Sequence, residues 1–375
     1  MRGRVRKRVS LGLGIVLFFC CCFVITQYVT TVCIPYTAKA DKINKNLHSD
    51  DEDMQQTEVC LIGGSHGLNA FNPNAMWESQ GICCYNYCFA GETIPVTKIY
   101  LEELFRKRSF RVVVVDLYYI GLADPYFGEK NYAYDILNKL PCSMDKFRYV
   151  SEHVHEEVRK EYYFPLNRYH TRWLSLDRKD FERTPDPEDD WQLGQDFHYE
   201  TNDGNVVHFA PWEDDGKSIP LKDSIESELR KLIEVVKAHD AELLLVDIPR
   251  CYDDAAPPAD WIGDEHAAVN RAREIASEYG VRVLQFDDEE LARIGFAPER
   301  HMYNKGHMNI EGSEVFSRAL AEDLVSHYPL TRYSRSGAEG ETQAPDGTEN
   351  ADTAALRDRY YRIYLEQKKE RKATS

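Results

Sequence analysis

The sequence has few cysteines and no recognisable motif for binding a metal ion or a nucleotide. Ten cysteines among 375 residues are too sparse for a small fold held together by disulfide bonds. No Cys-x-x-Cys pair precedes a second pair or a spaced histidine pair, which argues against structural zinc. The chain also lacks a Walker loop, a Gly-x-Gly-x-x-Gly motif and the acidic cluster of a phospho-acceptor site. We therefore predict no cofactor and disfavour a nucleotide-binding or receiver function.

Basic side chains are also in the minority. Lys and Arg number 46 against 63 Asp and Glu, which gives a formal net charge of −17. A surface of this sign repels phosphate backbones, so we predict no nucleic-acid partner. With 43% hydrophobic residues the chain can bury a sizeable core, and we expect one large domain with appendages.

The sequence has one long apolar run, near its N-terminus. Every residue from Leu11 to Ile25 is apolar or glycine, and a weaker continuation reaches Ile34. About 20 such residues span a bilayer as a helix. The basic cluster at residues 2–8 has no counterpart after the run, so residues 1–10 are predicted to be cytoplasmic and the bulk of the chain extracytoplasmic. Residues 11–34 are thus predicted to be a single-pass signal anchor in the cell membrane.

A cleaved signal peptide is the competing interpretation, because Ala38-Lys39-Ala40 fits a small-x-small cleavage site. We favour the uncleaved anchor, since the apolar run is long for a signal peptide and the cleavage site lies well beyond its strongest part. The polar and acidic stretch at 35–57 is predicted to be a linker. The folded domain is expected over 58–330.

Short apolar runs alternate with segments of helical spacing in this domain. The runs are uniformly apolar, as expected of strands that are buried on both faces. The alternation predicts an α/β fold, with a flavodoxin-like parallel sheet and helices on both of its faces. The predicted strands are Val59–Ile62, Ile82–Tyr85, Val112–Asp116, Leu243–Asp247 and Val281–Phe286. The predicted helices are Val96–Lys107, Ile219–Lys237, Glu265–Tyr279 and Glu311–His327.

Three segments lie outside this pattern. Residues 124–218 are aromatic and charged and form an insertion between the third and fourth strands, which suits a substrate-shaping cap and a structural subdomain equally well. Residues 331–352 are rich in Gly, Ser, Glu and Thr and are predicted to be disordered. Residues 353–375 follow as a candidate C-terminal helix, whose role the sequence does not indicate.

The first strand ends in a glycine-rich turn that contains a serine, Gly63-Gly64-Ser65-His66-Gly67. Ligands of open α/β sheets bind at the carboxyl ends of the strands. Flanking glycines let the backbone turn sharply, so Ser65 can present its hydroxyl there with its own N–H facing a developing oxyanion. Taken alone, the turn is equally well explained as a tight strand-to-helix connection.

A histidine lies on the loop before the last helix of the domain, in the sequence Tyr303-Asn304-Lys305-Gly306-His307. In a flavodoxin-like sheet this loop can reach the carboxyl end of the first strand. A lone loop histidine is commonly solvated, but a histidine paired with Ser65 is a candidate general base. The two residues together predict nucleophilic catalysis.

Four stretches carry a family resemblance over residues 58–330: LIGGSHGLNAFNP, YNYCFAGETIPVTKIYLEEL, FRVVVVDLYYIG and YNKGHMNIEGSEVFSRAL. They resemble the SGNH/GDSL hydrolases, and more narrowly the membrane-anchored bacterial branch of that family. This branch is similar to proteins that move acyl groups on cell-surface polymers, as in alginate acetylation and teichoic acid D-alanylation. The resemblance implies an acylated polysaccharide or wall polymer as the substrate, and a membrane protein that donates the acyl group as a partner.

The resemblance also implies roles for individual residues. Ser65 resembles the nucleophile and His307 the base, while the N–H groups of Ser65 and Gly91 look like the oxyanion donors. The rest of the predicted oxyanion and binding set is Asn86, Gly64, Asp116 and Asn309.

The sequence departs from the family at two places. The family's last block reads Asp-x-x-His, but here Asn304 occupies the acidic position, and an amide can hold the imidazole ring without stabilising its charge. The Gly-x-Asn-Asp of the third block is absent, and the matching strand end reads Asp116-Leu117-Tyr118-Tyr119. Asp116 or Asp247, each closing a predicted strand, is an alternative source of the carboxylate, although such residues more commonly cap a turn or a helix.

We therefore predict an extracytoplasmic serine esterase or O-acyltransferase that acts on an acylated cell-surface glycan. The alternative is a non-catalytic protein of the same fold that binds or assembles cell-envelope polymers, which Asn304 favours. We expect His66 to be a hydrogen-bonded loop residue, and Arg172 either to clamp an anion or to pack within the insertion. Buried apolar positions are expected for Cys60, Cys83 and Cys84, whereas an oxidising exterior would permit a bridge among Cys88, Cys142 and Cys251.

Overall fold

A five-stranded parallel sheet forms the centre of the computed structural model, with strand order β2-β1-β3-β4-β5. The strands are β1 (Val59–Ile62), β2 (Cys84–Asn86), β3 (Val112–Asp116), β4 (Glu242–Val246) and β5 (Arg282–Leu284). The structure describes residues 2–35, 42–43, 45–47, 55–122, 130–140, 143–182, 192–197, 207–251, 262–333 and 348–374. This strand order is that of flavodoxin-like folds and confirms the predicted α/β architecture.

Helices connect the strands and cover the sheet. The N-terminal helix is α1 (Arg2–Cys33), and those between β1 and β3 are α2 (Ser65–Ala70), α3 (Pro73–Gln80) and α4 (Ile94–Phe105). Between β3 and β4 lie α5 (Lys130–Lys139), α6 (Met144–His153), α7 (Glu156–Tyr163), α8 (Leu166–Tyr169), α9 (Arg178–Glu182) and α10 (Asp223–Ala238). The last helices are α11 (Glu265–Glu278), α12 (Asp288–Ile294), α13 (Pro298–His301), α14 (Ile310–His327) and α15 (Thr348–Thr374).

Both faces of the sheet are buried. In β1, Cys60 and Ile62 belong to the core formed with α4, α10 and α11. Val59 and Leu61 alternate with them and belong to the opposite core, formed with α2, α3 and α14. Two-sided burial explains why the strand sequences are uniformly apolar rather than alternating.

The elements differ from their predicted bounds mainly where they are short. β1 and β3 match the prediction in full, whereas β2 is shifted toward its carboxyl end although Ile82 and Cys83 are as buried as the strand itself. The sequence does not predict α2 and α3, because six and eight residues are too few to establish a helical period.

The insertion between β3 and β4 is mostly helical over its described residues 130–140 and 143–182, and this part packs against the domain. Tyr134, Tyr149 and Tyr162 are buried in the same core as α4 and α10. Gly194 lies so close to the end of β2 that an added Cβ would meet the carbonyl oxygen of Asn86 at 1.9 Å. The described part of the insertion is therefore a structural subdomain that flanks the carboxyl edge of the sheet.

The predicted linker at 35–57 contributes to the core, which corrects the expected start of the domain at residue 58. Ile43 and Leu47 are buried among the core residues. Asn46 accepts a hydrogen bond from the Tyr85 hydroxyl at 2.9 Å and donates to the Tyr100 hydroxyl at 2.8 Å. The acidic composition of the segment hides these three positions, because its many charged residues lower the average hydropathy.

The C-terminal helix α15 packs against α3. Trp77 donates from its indole nitrogen to a carboxylate oxygen of Asp358 at 2.9 Å, and the Tyr364 hydroxyl donates to Glu314 at 2.6 Å. Of the segment predicted to be disordered, residues 334–347 lie outside the described residues, whereas 348–352 belong to α15. The described part of this tail is thus an integral part of the fold.

Replacing Arg357 by alanine should lower the free energy of unfolding by about 3 kcal/mol. The Arg357 side chain is 1% exposed and donates to the carbonyl of Cys84 at 3.0 Å and to the hydroxyl of Thr57 at 3.1 Å. Its removal leaves these buried acceptors without their charged donor. Chemical denaturation measures the change, with the exposed Arg359→Ala as the matched control. Equal stability of the two variants would contradict the docking of α15.

The helix α1 is long and apolar enough to cross a membrane over Gly12–Cys33. Its side chains from residue 12 to residue 29 are largely exposed in the structure, including Leu17, Phe18 and Phe23. A run of exposed apolar side chains over this length is typical of a segment surrounded by lipid.

Candidate active site

The turn after β1 places Ser65 at the carboxyl edge of the sheet. Gly63 has a φ of 143°, and an added Cβ at this position would lie 2.5 Å from the Cβ of Asp116. An added Cβ at Gly64 would lie 2.8 Å from the ring of Tyr119. Both positions therefore require glycine, and Ser65 follows as the first residue of α2.

Ser65 lies at the point of the sheet where the strand order reverses. The chain places β2 on one side of β1 and β3 on the other, so the carboxyl end of β1 is the switch point of the sheet. Crevices outside such points are the usual ligand sites of open α/β sheets. In the first turn of α2 the N–H of Gly67 donates to Asp116 Oδ2 at 3.2 Å, so the N–H of Ser65 remains the candidate oxyanion donor of this turn.

His307 is held on a compact loop between α13 and α14. Met302 and Met308 form an antiparallel bridge, and the carbonyl of His307 accepts the N–H of Tyr303 at 2.8 Å. The loop is fixed to the segment after β4, because the N–H of Cys251 donates to the carbonyl of Lys305 at 2.8 Å. These contacts bring the imidazole to the same edge of the sheet as Ser65.

Ser65 and His307 meet as predicted. The Ser65 Oγ lies 2.9 Å from His307 Nε2, and His307 Nδ1 lies 3.1 Å from Asn304 Oδ1. The orientation of the Asn304 amide follows from its neighbours, because the N–H groups of Gly306 and His307 both donate to Oδ1 at 2.9 Å. An atom that accepts two N–H groups is the oxygen, so Nδ1 carries a proton and Nε2 is free to accept from the Ser65 hydroxyl.

The two alternative carboxylates are engaged elsewhere. Asp116 accepts the N–H of Tyr118 at 2.9 Å and of Gly67 at 3.2 Å, and burial raises the pKa of Asp116 to about 6. Asp247 pairs with Arg250 at 2.8 Å. Asp116 therefore stabilises the turn around Ser65, and Asn304 is the residue that orients His307.

His66 lies beside the pair in a way that the sequence does not reveal. It is 3% exposed, and its ring stacks on Tyr118 at 3.5 Å between centroids and on His307 at 4.8 Å. Neither of its ring nitrogens has a hydrogen-bond partner in the part of the chain that the structure describes, so the expected hydrogen-bonded loop residue is wrong. Burial, together with the charges of His307 and Arg250, holds the pKa of His66 well below its usual value.

The stack continues behind His66. The Arg250 guanidinium carbon lies 4.9 Å from the centroid of the Tyr118 ring, and Arg250 is itself paired with Asp247 and Glu265. Two acidic partners thus anchor the far end of the aromatic stack. At the other end of the stack, the face of the His66 ring lies against His307.

The remaining polar candidates hold the backbone of the site. Asn86 directs its amide nitrogen to the carbonyls of Gly67, Leu68 and Phe71, at 3.1, 3.3 and 2.9 Å. With both of its amide hydrogens directed at these carbonyls, Asn86 fixes the turn after Ser65. Asn309 caps α14 by accepting the N–H of Gly312 at 2.9 Å, and its amide donates to the carbonyl of Arg300 at 2.7 Å.

The turn that carries Gly91 lies against the turn of Ser65. The N–H of Phe89 donates to the carbonyl of Gly63 at 2.9 Å, which joins the segments after β2 and β1. Gly91 has a φ of 75°, a left-handed conformation that favours glycine. The candidate oxyanion donor is therefore in a turn whose backbone is bonded to the turn that carries Ser65.

Lys42 supports this turn from the predicted linker. Its Nζ donates to the carbonyl of Cys88 at 2.8 Å and to the carbonyl of Gly194 at 2.5 Å. Burial lowers the pKa of Lys42 to about 8. A single cation thus joins the linker, the turn after β2 and the insertion, and no motif in the sequence indicates it.

If Ser65 attacks an ester with Gly91 as an oxyanion donor, Lys42→Met should lower kcat by about tenfold to hundredfold with little change in KM, because a looser turn moves the Gly91 N–H away from the oxyanion. Steady-state ester hydrolysis gives both constants. Lys45→Met, which alters an exposed lysine of the same segment, is the control. If kcat changes by the same factor in Lys42→Met and Lys45→Met, Lys42 does not support the turn that carries Gly91.

The other predicted groups have structural roles. Arg172 pairs with Asp180 at 2.7 Å and donates to the carbonyl of Cys33 at 3.3 Å, which favours packing within the insertion over anion binding. Cys60, Cys83 and Cys84 are buried as predicted, and Cys142 lies outside the described residues. Among the described residues, no group of three or more His, Cys, Asp or Glu could hold a metal ion.

Neither of two comparisons with known proteins identifies a relative of this chain. A scan against protein-family models and a search of curated proteins each find no match for the chain. The chemistry is therefore inferred from Ser65, His307 and Asn304 and from the backbone around them.

Proposed function

We propose that the protein is a serine esterase or O-acyltransferase of the SGNH/GDSL type, and that it acts outside the cell on an acylated surface glycan or wall polymer. The observation that carries the proposal is the hydrogen-bonded chain from Ser65 Oγ through His307 to Asn304 Oδ1 at the carboxyl edge of the sheet. A serine is a weak nucleophile until a positioned base accepts its proton, and this arrangement supplies that base.

The geometry supports a two-step acyl transfer. Ser65 Oγ attacks the ester carbonyl while His307 Nε2 accepts its proton, and the N–H groups of Ser65 and Gly91 stabilise the oxyanion. Collapse of the tetrahedral intermediate breaks the bond to the leaving alcohol, which takes the proton from His307. Water or a sugar hydroxyl then attacks the acyl-enzyme, giving hydrolysis or transfer.

Asn304 replaces the customary acid in this scheme. Its amide oxygen selects the His307 tautomer that has a free Nε2, so the base is oriented correctly without a carboxylate. What an amide does not supply is a negative charge next to the imidazolium. Proton transfer is thus retained, with less stabilisation of the charged intermediate.

The proposed location follows from α1. We place Gly12–Cys33 across the cell membrane, with residues 1–10 in the cytoplasm and the α/β domain outside. A membrane protein that supplies the acyl group is the proposed partner. Protease added to intact cells should remove the domain, and protection of the domain would contradict this orientation.

A serine-directed fluorophosphonate probe tests the chemistry. The detergent-solubilised full chain should be labelled and should hydrolyse p-nitrophenyl acetate, and Ser65→Ala should lose both properties. Ser79→Ala is the matched control, because Ser79 is a partly buried serine of α3 whose hydroxyl bonds to the carbonyl of Met76. Labelling of Ser65→Ala at the level of the control would contradict Ser65 as the nucleophile.

The second candidate function is a non-catalytic polymer-binding or assembly protein, which the missing acid at position 304 favours. In that case the folded chain would bind an acylated glycan with equal affinity before and after Ser65→Ala. It would also hydrolyse no ester above the background of that variant.

A further inference from the structure

Four large apolar side chains are exposed between residues 164 and 181 of the insertion. Phe164, Trp173, Leu174 and Phe181 leave 67, 66, 71 and 56% of their surfaces exposed. Soluble proteins rarely leave so much apolar surface open to solvent in one region unless another surface covers it. We name this set the apolar patch.

The apolar patch lies beside the end of α1. The Arg172 side chain, next to Trp173 in the chain, donates to the carbonyl of Cys33, the last residue of α1. The helix α1 also contacts α8, which lies between Phe164 and Trp173 in the chain, and α9, which contains Phe181. Val32 and Cys33 are buried, although most of α1 before them is exposed.

The patch is held in place rather than carried on a loose loop. Arg172 bonds to Asp180 at 2.7 Å, and Asp180 is 3% exposed. The second oxygen of Asp180 accepts the N–H of Asp177 at 2.9 Å. The turn with Trp173 and the helix with Phe181 are thereby fixed to each other and to the end of α1.

The charge of this region differs from that of the whole chain. Residues 159–182 contain six basic and four acidic side chains, a net charge of +2 in a protein that carries −17, and Arg168, Arg172 and Arg178 pair with acidic residues of the same segment. Basic residues next to exposed Trp, Phe and Leu are typical of surfaces that lie at the boundary between lipid headgroups and acyl chains. A bilayer surface is thus the occupant that matches both the apolar and the charged groups.

We propose that the apolar patch is a bilayer-docking surface, which inserts at the headgroup boundary on the outer side of the membrane that α1 crosses. The proposal rests on the proposed membrane insertion of α1 and is independent of the chemistry at Ser65. Continuity with α1 supports it, since Arg172 connects the patch to the residue at which α1 ends. The domain is then attached to the bilayer at two points and has a fixed orientation relative to it.

Tryptophan quenching by brominated lipids tests the docking surface, because α1 contains no tryptophan and its insertion adds no signal. The full chain is reconstituted in vesicles of phosphatidylcholine and phosphatidylglycerol, with and without bromine on the upper acyl carbons. We expect Trp173→Tyr to lose most of the lipid-dependent quenching. Trp212→Tyr should retain it, because Trp212 stacks on the ring of His266 in α11, at 3.8 Å between centroids, and is not part of the apolar patch.

The outcomes separate the proposals. Equal quenching of the wild type and Trp173→Tyr, in protein that floats with the vesicles after alkaline extraction, would overturn the docking surface and favour a protein partner for the patch. A chain that does not float would overturn the membrane insertion of α1, and the docking surface with it. Esterase activity in detergent, measured on the same samples, tests Ser65 separately.

Discussion

Replacing Asn304 by leucine should lower kcat/KM for ester hydrolysis by about four orders of magnitude, because the His307 ring then loses the acceptor that fixes its tautomer. Asn304 Oδ1 is also the acceptor of two backbone N–H groups in the loop, so the base would lose both its orientation and part of its support. The rate that remains should come from the oxyanion donors and substrate binding.

Asn304→Asp is the matched variant, since a carboxylate oxygen can accept the same three hydrogen bonds. We expect this variant to equal or exceed the wild-type rate, because the added charge stabilises the imidazolium of the intermediate. The carboxylate also favours the protonated ring, so the acidic limb of the kcat/KM profile should move to higher pH. Pre-steady-state and steady-state hydrolysis against pH measure both effects.

Thermal unfolding of the wild type, Asn304→Leu and Asn304→Asp shows whether a loss of activity comes from unfolding of the loop or from a misplaced His307 ring. If Asn304→Leu is folded and as active as the wild type, then Asn304 does not orient the base. If Asn304→Asp is much slower than the wild type, then charge at this position is harmful and the proposed role of the amide is wrong.

His66→Ala should reduce kcat by about a hundredfold, because it removes the ring that separates His307 from Tyr118 and lets the base shift. His66→Phe should keep kcat within about threefold, since a phenyl ring can occupy the same stack and face the imidazolium. The free energy of unfolding of His66→Phe should exceed that of the wild type by about 1–3 kcal/mol, because two buried nitrogens without partners are replaced by carbon.

Steady-state kinetics and chemical denaturation of the two variants check these expectations. The comparison assigns the role of His66, because alanine removes both the ring face and the nitrogens, whereas phenylalanine removes the nitrogens alone. If kcat falls equally in both variants, the ring nitrogens act on the substrate and the stack alone does not explain the position of His307.

The sequence predicts the parts of the site that depend on the sheet. Uniformly apolar runs indicate the strands, and strand order then brings the ends of β1 and the loop before α14 to one edge, where Ser65 and His307 meet. The glycines of the turn also predict a sharp bend in the backbone, which the φ of 143° at Gly63 confirms.

The parts that the sequence does not predict depend on contacts between distant segments. Lys42 lies in an acidic stretch with the composition of a linker, and nothing near it in the chain indicates the carbonyls of Cys88 and Gly194. His66 is similar, since its burial comes from Tyr118 and His307 rather than from its own turn. The tautomer of His307 cannot be predicted from the sequence either, because it depends on which side-chain atom of Asn304 accepts the backbone N–H groups.

The attachment of Lys42 also limits how far the catalytic centre can work from the bilayer. Eight residues separate Cys33 at the end of α1 from Lys42, and an extended chain advances about 3.5 Å per residue. Lys42 is bonded to the turn after β2, at the same edge of the sheet as Ser65. With α1 in the membrane, this anchor point stays within about 30 Å of the end of α1. For the proposed esterase or acyltransferase, esters deep in a thick wall would be out of reach, and we expect the polymer to be modified close to the membrane.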